Sequence, residues 1–213
     1  MKYHKTEGII LNTKSLNEKD KTAIFLTQNL GKIYITIPSA KNIKCRFTFI
    51  TEKLNNLKVD LYKTKNGYLL TEFRLIKSFK NIKKSLPLIL SSEIAIEITD
   101  KLIPIEDKST NIYFILKNFL ETVDKYKTAN TLLEAFKIKL LHSQGMLEEF
   151  GMTKQSLIST LLHNPFQKIT TYKFEKSEIE KLKLFLDKKI FNYFGAELNY
   201  QKLIYRENPI YTL

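Results

Sequence analysis

The hydrophobic pattern of this chain changes its period once, near residue 80. Before that point apolar residues alternate with polar ones, as Ile33, Ile35 and Ile37 do, and this is the period of a half-buried β-strand. After it they recur every three to four residues, the period of an amphipathic helix. The 213 residues are therefore predicted to form an α+β protein, with a β domain over residues 1–80 and a helical domain over residues 81–213.

Five strands are predicted in the first domain. The last two form a hairpin, because Asn66-Gly67 separates two alternating runs and both positions tolerate a positive φ. Five strands with one tight hairpin fit the smallest closed barrel, so we predict a five-stranded OB-fold barrel. The predicted strands cover Glu7–Thr13, Lys21–Thr27, Lys32–Ile37, Leu57–Tyr62 and Tyr68–Ser78.

The second domain is predicted to contain four longer helices and a short one. Pro87 lies in the first turn of the first helix, and Pro104 ends it. This helix presents Leu90, Ile94 and Ile98 on one face. The second helix has an apolar stripe from Ile112 to Val123. A capping box of Thr131 and Glu134 begins a central helix that closes at Gly145, and a short helix follows over Leu157–Leu162. A second capping box, of Ser177 and Glu180, begins the last helix, whose inward face runs from Ile179 to Tyr193.

Positive charge is concentrated in the first domain. The formal net charge is +13, and 32 of the 35 basic residues are lysine. Residues 1–80 hold 16 Lys/Arg against 6 Asp/Glu, net +10, whereas residues 81–213 hold 19 against 16, net +3. This asymmetry indicates an anionic partner for the barrel, with nucleic acid favoured over a membrane surface.

The strand at Lys32–Ile37 and the loop after it carry most of the candidate binding residues. Lysine binds phosphate as a point charge, so the surface is expected to contact the nucleic-acid backbone without reading base sequence. Tyr34, Tyr62 and Tyr68 fall on outward or rim positions where a base can stack, although tyrosine is also common in strands for its packing alone. The candidate nucleic-acid-binding residues are Lys14, Lys19, Lys21, Lys32, Tyr34, Lys41, Lys44, Arg46, Lys63 and Lys65.

The sequence shows no constellation of catalytic or metal-binding residues. Cys45 is the only cysteine, and His4, His142 and His163 lie far apart, so neither a disulfide framework nor a zinc site is expected. Gly31-Lys32 lacks the remaining residues of a phosphate-binding loop. No apolar run is long enough to span a membrane and the N-terminus lacks a signal-peptide core, so a cytoplasmic protein that is not an enzyme is expected.

Seven short motifs occur in order along the chain. They are Glu7-Gly-Ile-Ile-Leu11, Glu18-Lys-Asp20, Thr27-Gln-Asn-Leu-Gly31-Lys32, Ala40-Lys-Asn-Ile-Lys-Cys-Arg46, Leu133-Glu-Ala-Phe-Lys-Ile-Lys-Leu-Leu141 with Gly145 after it, Phe191-Asn-Tyr-Phe-Gly195, and Gln201-Lys-Leu203. Their order and spacing resemble the RecO family of bacterial recombination mediators. The first three resemble its opening strand pair, the fourth stands where the family carries a basic segment, and the others resemble its central helix and C-terminal end.

The resemblance implies an N-terminal OB-fold, a C-terminal helical domain and a role in recombinational DNA repair. That role comprises binding single- and double-stranded DNA, annealing complementary strands, and acting with RecR to help RecA load onto strands coated by single-strand-binding protein. Many family members carry a four-cysteine zinc motif between the central and last helices. Residues 146–176 contain no cysteine here, so no metal and no cofactor are expected.

Two other functions are compatible with the sequence. A general OB-fold protein that binds RNA or acts in translation would show the same charge and the same strands, because contacts to a 2′-hydroxyl cannot be read from sequence. A nuclease or other hydrolase with an unrecognised site is the second alternative, and the missing metal ligands and acid–base clusters count against it.

Overall fold

The computed structural model describes residues 2–42, 47, 50–107, 110–147 and 155–194. Its strands are β1 (Tyr3–Ser15), β2 (Lys21–Thr27), β3 (Lys32–Ile37), β4 (Asn56–Thr64) and β5 (Gly67–Lys77). They close into a barrel in the order β1-β2-β3-β5-β4, antiparallel throughout except for a short parallel pairing of β3 with β5. This is the OB-fold topology, and it confirms the predicted barrel.

The alternating residues of the strands fill the barrel. Ile33, Ile35 and Ile37 of β3 are each at most 2% exposed, whereas Tyr34 between them is 44% exposed. The predicted β4–β5 hairpin is confirmed, with Thr64 paired to Gly67 across a two-residue loop. The positive φ lies at Gly67, the first residue of β5, at 130°.

The helices follow a short 3₁₀ turn at Ile82–Lys84. They are α1 (Leu86–Leu102), α2 (Thr110–Tyr126), α3 (Asn130–Ser143), α4 (Gln155–His163), α5 (Phe166–Ile169) and α6 (Lys176–Phe194). α3 is buried nearly all round, as predicted for the central helix. It closes at Gly145, whose φ is 68°, and the amides of Gly145 and Met146 donate to the carbonyls of His142 and Leu141 at 3.0 and 2.9 Å.

Neither predicted capping box forms. α3 begins at Asn130, so Thr131 lies inside its first turn, and Glu134 is buried, where its carboxylate accepts hydrogen bonds from Lys137 at 3.1 Å. A buried lysine must be paired with a carboxylate, and Glu134 provides that partner. α6 begins at Lys176, one residue before Ser177, and Glu180 instead pairs with Lys176 at 3.8 Å.

Two side chains from the predicted apolar faces are exposed. Leu90 of α1 is 49% exposed and Tyr193, in the last turn of α6, is 47% exposed. The buried face of α1 combines Ile98, as predicted, with the small residues Ser92, Ala95 and Thr99, all at 0% exposure. Small side chains let neighbouring elements approach the helix closely, and a search for large apolar residues at helical spacing does not detect this part of the face.

One apolar core joins the outside of the barrel to the helices. Ile9, Leu11 and Leu26 are at most 1% exposed and belong to the same buried cluster as the apolar residues of the helices. The interior of the barrel forms a second cluster, which includes Ile10 and Phe25. The barrel and the helices therefore share a packed boundary.

The connection between α1 and α2 returns to the barrel at residues 105–107. Ile105 forms a parallel bridge with Lys32, and the amide of Glu106 donates to the Lys32 carbonyl at 2.7 Å. The close approach requires Gly31, whose φ is 73° and where a Cβ would lie 2.0 Å from the Asp107 carbonyl oxygen. The segment thus lies directly against the start of β3.

Candidate nucleic-acid interface

The outer face of β2 and β3 presents Thr22, Tyr34 and Thr36, which we call the β2–β3 face. Thr22 pairs with Thr36 and Ile24 pairs with Tyr34 across the two strands. In an OB-fold this face, together with the β1–β2 and β4–β5 loops beside it, is where oligonucleotides bind. The ring of Tyr34 is therefore exposed where a base can stack.

The β4–β5 hairpin forms one side of this face. Tyr34, Lys63, Lys65 and Glu106 line a pocket of about 180 Å³, together with Ile33, Asn66, Gly67, Tyr68 and Ile105, and we call it the Tyr34 pocket. Lys65 is exposed. The ammonium of Lys63 lies 2.8 Å from the Glu106 carboxylate and 4.4 Å from the centre of the Tyr68 ring. The hydrogen bond to Glu106 raises the pKa of Lys63 above its usual value despite some desolvation, so Lys63 stays charged.

The β1–β2 turn forms the other side. Asp20 accepts a hydrogen bond from the Ser39 amide at 2.8 Å, and the Lys41 amide donates to the Lys19 carbonyl at 3.0 Å. Hydrogen bonds from the Asn17 side chain and then from the Ser39 amide hold the pKa of Asp20 below its usual value. The turn and the segment after β3 are thus one unit, which presents Lys14, Lys19 and Lys41 to solvent.

The ammonium groups of Lys21 and Lys41 both donate hydrogen bonds to neutral groups of the protein. Lys21 is half-buried, and its ammonium donates to the Thr51 hydroxyl at 3.1 Å. Lys41 is exposed, and its ammonium donates to the Asn17 carbonyl at 2.5 Å. A hydroxyl or carbonyl partner leaves the positive charge of each lysine uncompensated, so both still contribute to the cationic surface.

The structure corrects the prediction that Lys32 is a nucleic-acid-binding residue. It is 6% exposed, and its ammonium binds the Asp100 carbonyl at 2.5 Å and the Asp100 carboxylate at 3.2 Å. Strand alternation places Lys32 outward from the barrel, as predicted, but α1 covers that position. Lys32 therefore connects β3 to α1 and is not available to a partner.

Two of the three predicted stacking tyrosines are also not available. Tyr68 is 7% exposed and its ring meets that of His4 edge-on at 5.6 Å. Tyr62 is half-buried against Tyr3, with ring centres 5.1 Å apart. Tyr34, at 44%, is the most exposed of the three. Lys44 and Arg46 lie outside the described residues, as does Cys45 between them.

The opposite side of the barrel carries charges of both signs. Across β1, β4 and β5, Lys5 pairs with Asp60 and Asp60 with Glu72, and the ammonium of Lys5 lies 2.8 Å from the Asp60 carboxylate. In the next row Glu7 is paired with Lys58 and Lys58 with Arg74. Because these charges largely compensate one another, the β2–β3 face with its two lysine-bearing loops is the better anion-binding surface.

Sequence reasoning missed the part that Glu106 plays. It lies 43 positions from Lys63 and follows Pro104, where the sequence predicts only the end of a helix. The one local signal is its φ of 63°, which is uncommon for a residue other than glycine and is visible only in the structure.

Within the described ranges, no group of three or more His, Cys, Asp or Glu side chains is placed to hold a metal ion. The helices described between residues 86 and 194 are also too short or too polar to cross a membrane.

A closed five-stranded barrel with helices packed on its outer face defines an OB-fold protein with an appended helical domain. The family model described as "Recombination protein O N terminal" matches residues 1–79, the barrel. Similar relatives include the DNA repair protein RecO of Caldanaerobacter subterraneus, 27% identical over 148 residues, and that of Caldicellulosiruptor saccharolyticus, 29% identical over 150 residues. The barrel is thus similar to the N-terminal domain of recombination protein O, and about 70% of the chain is similar to proteins named DNA repair protein RecO.

The similarity to these relatives covers most of this chain but less of theirs. The two alignments span 69% and 70% of this chain and 60% and 62% of the relatives. A third relative, the DNA repair protein RecO of Syntrophus aciditrophicus, is 28% identical over 67% of this chain and 56% of its own length. The chain thus matches about three fifths of the length of these relatives.

Proposed function

We propose that this protein is a DNA-binding mediator of recombinational repair and that DNA lies across the β2–β3 face. The relatives named DNA repair protein RecO support the repair role. The observation that carries the binding site is the exposed ring of Tyr34, which lies between the lysines of the β1–β2 turn and those of the β4–β5 hairpin. An aromatic ring flanked by cations suits single-stranded nucleic acid, whose bases stack and whose phosphates need positive charge.

The proposed activity is to anneal complementary strands and, with RecR, to assist RecA loading on strands coated by single-strand-binding protein. Such a mediator acts by binding and needs no catalytic group, metal or cofactor, and its place is the cytoplasm, where the chromosome lies. Lysine contacts to phosphate carry no base information, which suits a protein that must act on any sequence.

The test is an annealing assay on complementary strands coated with the cognate single-strand-binding protein. We expect the protein to accelerate annealing, and we expect RecR to bind it and change the rate at which RecA displaces the coat. Failure to anneal coated strands, with the protein folded, would contradict the mediator role.

Two further measurements separate the alternative functions. Competition between DNA and RNA of the same sequence should favour DNA or show no preference, whereas a strong preference for RNA would indicate an RNA-binding protein. Incubation of labelled DNA with the protein and Mg²⁺ should leave the strands intact, whereas cleavage would indicate a nuclease.

A further inference from the structure

The Tyr34 pocket contains a carboxylate at a place where a DNA-binding surface needs positive charge. Glu106 comes from the connection between α1 and α2, and its carboxylate lies 2.8 Å from the ammonium of Lys63. The backbone holds Glu106 there, because its amide donates to the Lys32 carbonyl at 2.7 Å and its φ is 63°. A non-glycine residue keeps such a conformation only where its surroundings impose it.

The ion pair that results is open to competition. The side chains of Lys63 and Glu106 are 39% and 60% exposed, and a pair this exposed contributes little to stability. A phosphate oxygen makes the same charge-assisted hydrogen bond to an ammonium as a carboxylate oxygen does. A DNA phosphate that binds Lys63 in this pocket must therefore compete with the Glu106 carboxylate for the charge of the ammonium.

The rest of the pocket suits one nucleotide of a single strand. The ring of Tyr34 forms one wall, and the exposed Lys65 lies at the hairpin tip beside it. A base on Tyr34 with its phosphate between Lys63 and Lys65 would use each of these groups. A base within a duplex cannot reach the ring in this way, because it is already stacked and paired.

We propose that the Tyr34 pocket is a single-nucleotide subsite in which Glu106 competes with the DNA phosphate for Lys63. The helical domain thereby lowers the affinity of the barrel for single-stranded DNA. This inference rests on the proposed DNA-binding function and adds a residue of the helical domain that sets the strength of binding.

The test compares two substitutions that each remove one negative charge beside a lysine. Glu106→Gln frees Lys63 in the pocket. Glu93→Gln frees Lys53, whose ammonium also lies 2.8 Å from the carboxylate of Glu93 on α1 in an exposed pair, and neither residue lines the Tyr34 pocket. Both variants gain the same net charge, so a difference between them reports on position alone.

We expect Glu106→Gln to bind single-stranded DNA about two- to fivefold more tightly, the range that an exposed ion pair represents. The slope of log K against log salt should steepen by about 0.7, the value for one added phosphate contact. Glu93→Gln should change neither by a comparable amount, and the gain for Glu106→Gln should be smaller on duplex DNA. Thermal unfolding checks that both variants are folded.

A second substitution tests whether the gain passes through Lys63. The double variant Glu106→Gln/Lys63→Ala should bind single-stranded DNA no more tightly than Lys63→Ala, because the ammonium that Glu106→Gln would free is absent. A gain that persists without Lys63, or equal gains for Glu106→Gln and Glu93→Gln, would overturn the subsite while leaving DNA binding by the barrel in place. Absence of DNA binding by the unmodified protein would instead contradict the proposed function.

Discussion

At the scale of single residues, Glu7 holds the barrel to the helical domain. Its carboxylate accepts hydrogen bonds from Asn56 of β4 at 2.9 Å, from the Tyr113 hydroxyl of α2 at 2.5 Å and from the Lys117 ammonium of α2 at 2.7 Å. Burial raises the pKa of Glu7, but the three donors and the charge of Lys117 outweigh it, so the pKa lies below its usual value. Burial, and then the bond to Glu7, raise the pKa of the Tyr113 hydroxyl, which remains a donor.

Replacing Glu7 with glutamine is therefore expected to change both stability and its dependence on pH. A carboxyl group whose pKa is lowered by folding stabilises the protein above its unfolded pKa, and that contribution is lost as the pH falls through the folded pKa. Glu7→Gln should lose roughly 1–3 kcal/mol at pH 7, the size of a charge-assisted hydrogen bond. The measurement is denaturant unfolding at pH 7 and at pH 3.5.

The difference in unfolding free energy between the unmodified protein and Glu7→Gln should be smaller at the lower pH, because the carboxyl group of the unfolded chain is then mostly protonated. Tyr113→Phe is the matched control, since it removes one donor and keeps the charge. An equal gap at both pH values would show that Glu7 acts by packing alone.

Lys137 is a second residue whose charge holds elements together. It is 1% exposed, and its ammonium lies 3.1 Å from the Glu134 carboxylate and 2.7 Å from Asp187 of α6. Burial raises the pKa of Glu134, against the attraction of Lys137. The pKa of Glu134 is thus higher in the folded protein than in the unfolded chain. Its proton therefore contributes stability that is fully present below the unfolded pKa and is lost as the pH rises through the folded pKa.

The substitution Lys137→Met tests this arrangement. It leaves two buried carboxylates without the ammonium, so we expect a loss of about 3–5 kcal/mol at pH 7. The loss should be smaller at pH 5, where a raised pKa lets Glu134 take up a proton. Calorimetric unfolding at the two pH values measures it, and a variant equally destabilised at both would contradict a charge-based account.

At the scale of elements, the sequence predicted where strands and helices lie better than which of their faces are covered. The alternation of β3 and the Asn66-Gly67 hairpin follow from side-chain period and backbone freedom, which are local properties. The burial of Lys32 depends on Asp100, 68 positions away, and no local pattern contains it. In the same way Ile9 and Leu26 face outward from the barrel and are buried only because the helices cover them.

The density of basic residues in the sequence indicated the cationic surface of the barrel, but not which lysines are exposed and which are paired with a carboxylate. Among the described candidates, Lys14, Lys19, Lys41 and Lys65 are exposed, as predicted, while Lys63 is paired with Glu106. The pairing requires the connection after α1 to return to the barrel, which is a feature of the tertiary fold. The binding roles themselves stay predictions until they are measured.

The return of residues 105–107 to the barrel gives a prediction at this scale. Gly31→Ala places a Cβ 2.0 Å from the Asp107 carbonyl oxygen and also strains a φ of 73°. Gly145→Ala is the matched control, since its φ is 68° and nothing lies within 4 Å of the added carbon. The control should cost about 1–2 kcal/mol for the left-handed conformation alone.

Gly31→Ala should cost clearly more than the control in chemical denaturation, because backbone must move to admit the methyl group. It should also displace Glu106 from Lys63, and so tighten binding of single-stranded DNA in the remaining folded protein. Equal losses for the two variants would show that the approach of Asp107 to Gly31 adds nothing to stability.

At the scale of the whole molecule, the shared core decides how the roles of the two domains can be tested. Without the barrel, the helical domain would lose Ile9, Leu11 and Leu26 from its buried cluster, together with the partners of Lys117 and Asp100. A separated helical domain would expose this apolar surface to water, at a cost of about 25 cal/mol for each Å². The hypothesis that the barrel supplies most of the affinity for DNA therefore needs substitutions in the full chain.

The last prediction compares two sets of three lysines in the intact protein. One variant changes Lys14, Lys19 and Lys41, beside the β2–β3 face, to glutamine, and the other makes the same change at three exposed lysines of the helical domain, Lys173, Lys181 and Lys188. Each variant loses three charges, so the net charge of the protein falls equally. If the three barrel lysines each neutralise one phosphate, the salt slope for single-stranded DNA should fall by about 2 in the first variant and little in the second.

The loss of affinity in the barrel variant should be about equal on every sequence, because contacts between lysine and phosphate do not distinguish bases. Titration of labelled oligonucleotides of different composition at several salt concentrations measures both quantities. Equal losses of slope in the two variants would mean that DNA responds to the total charge of the protein. A loss confined to the barrel variant would mean that the excess of positive charge in the first 80 residues marks the surface on which DNA lies, with the helical domain as its support.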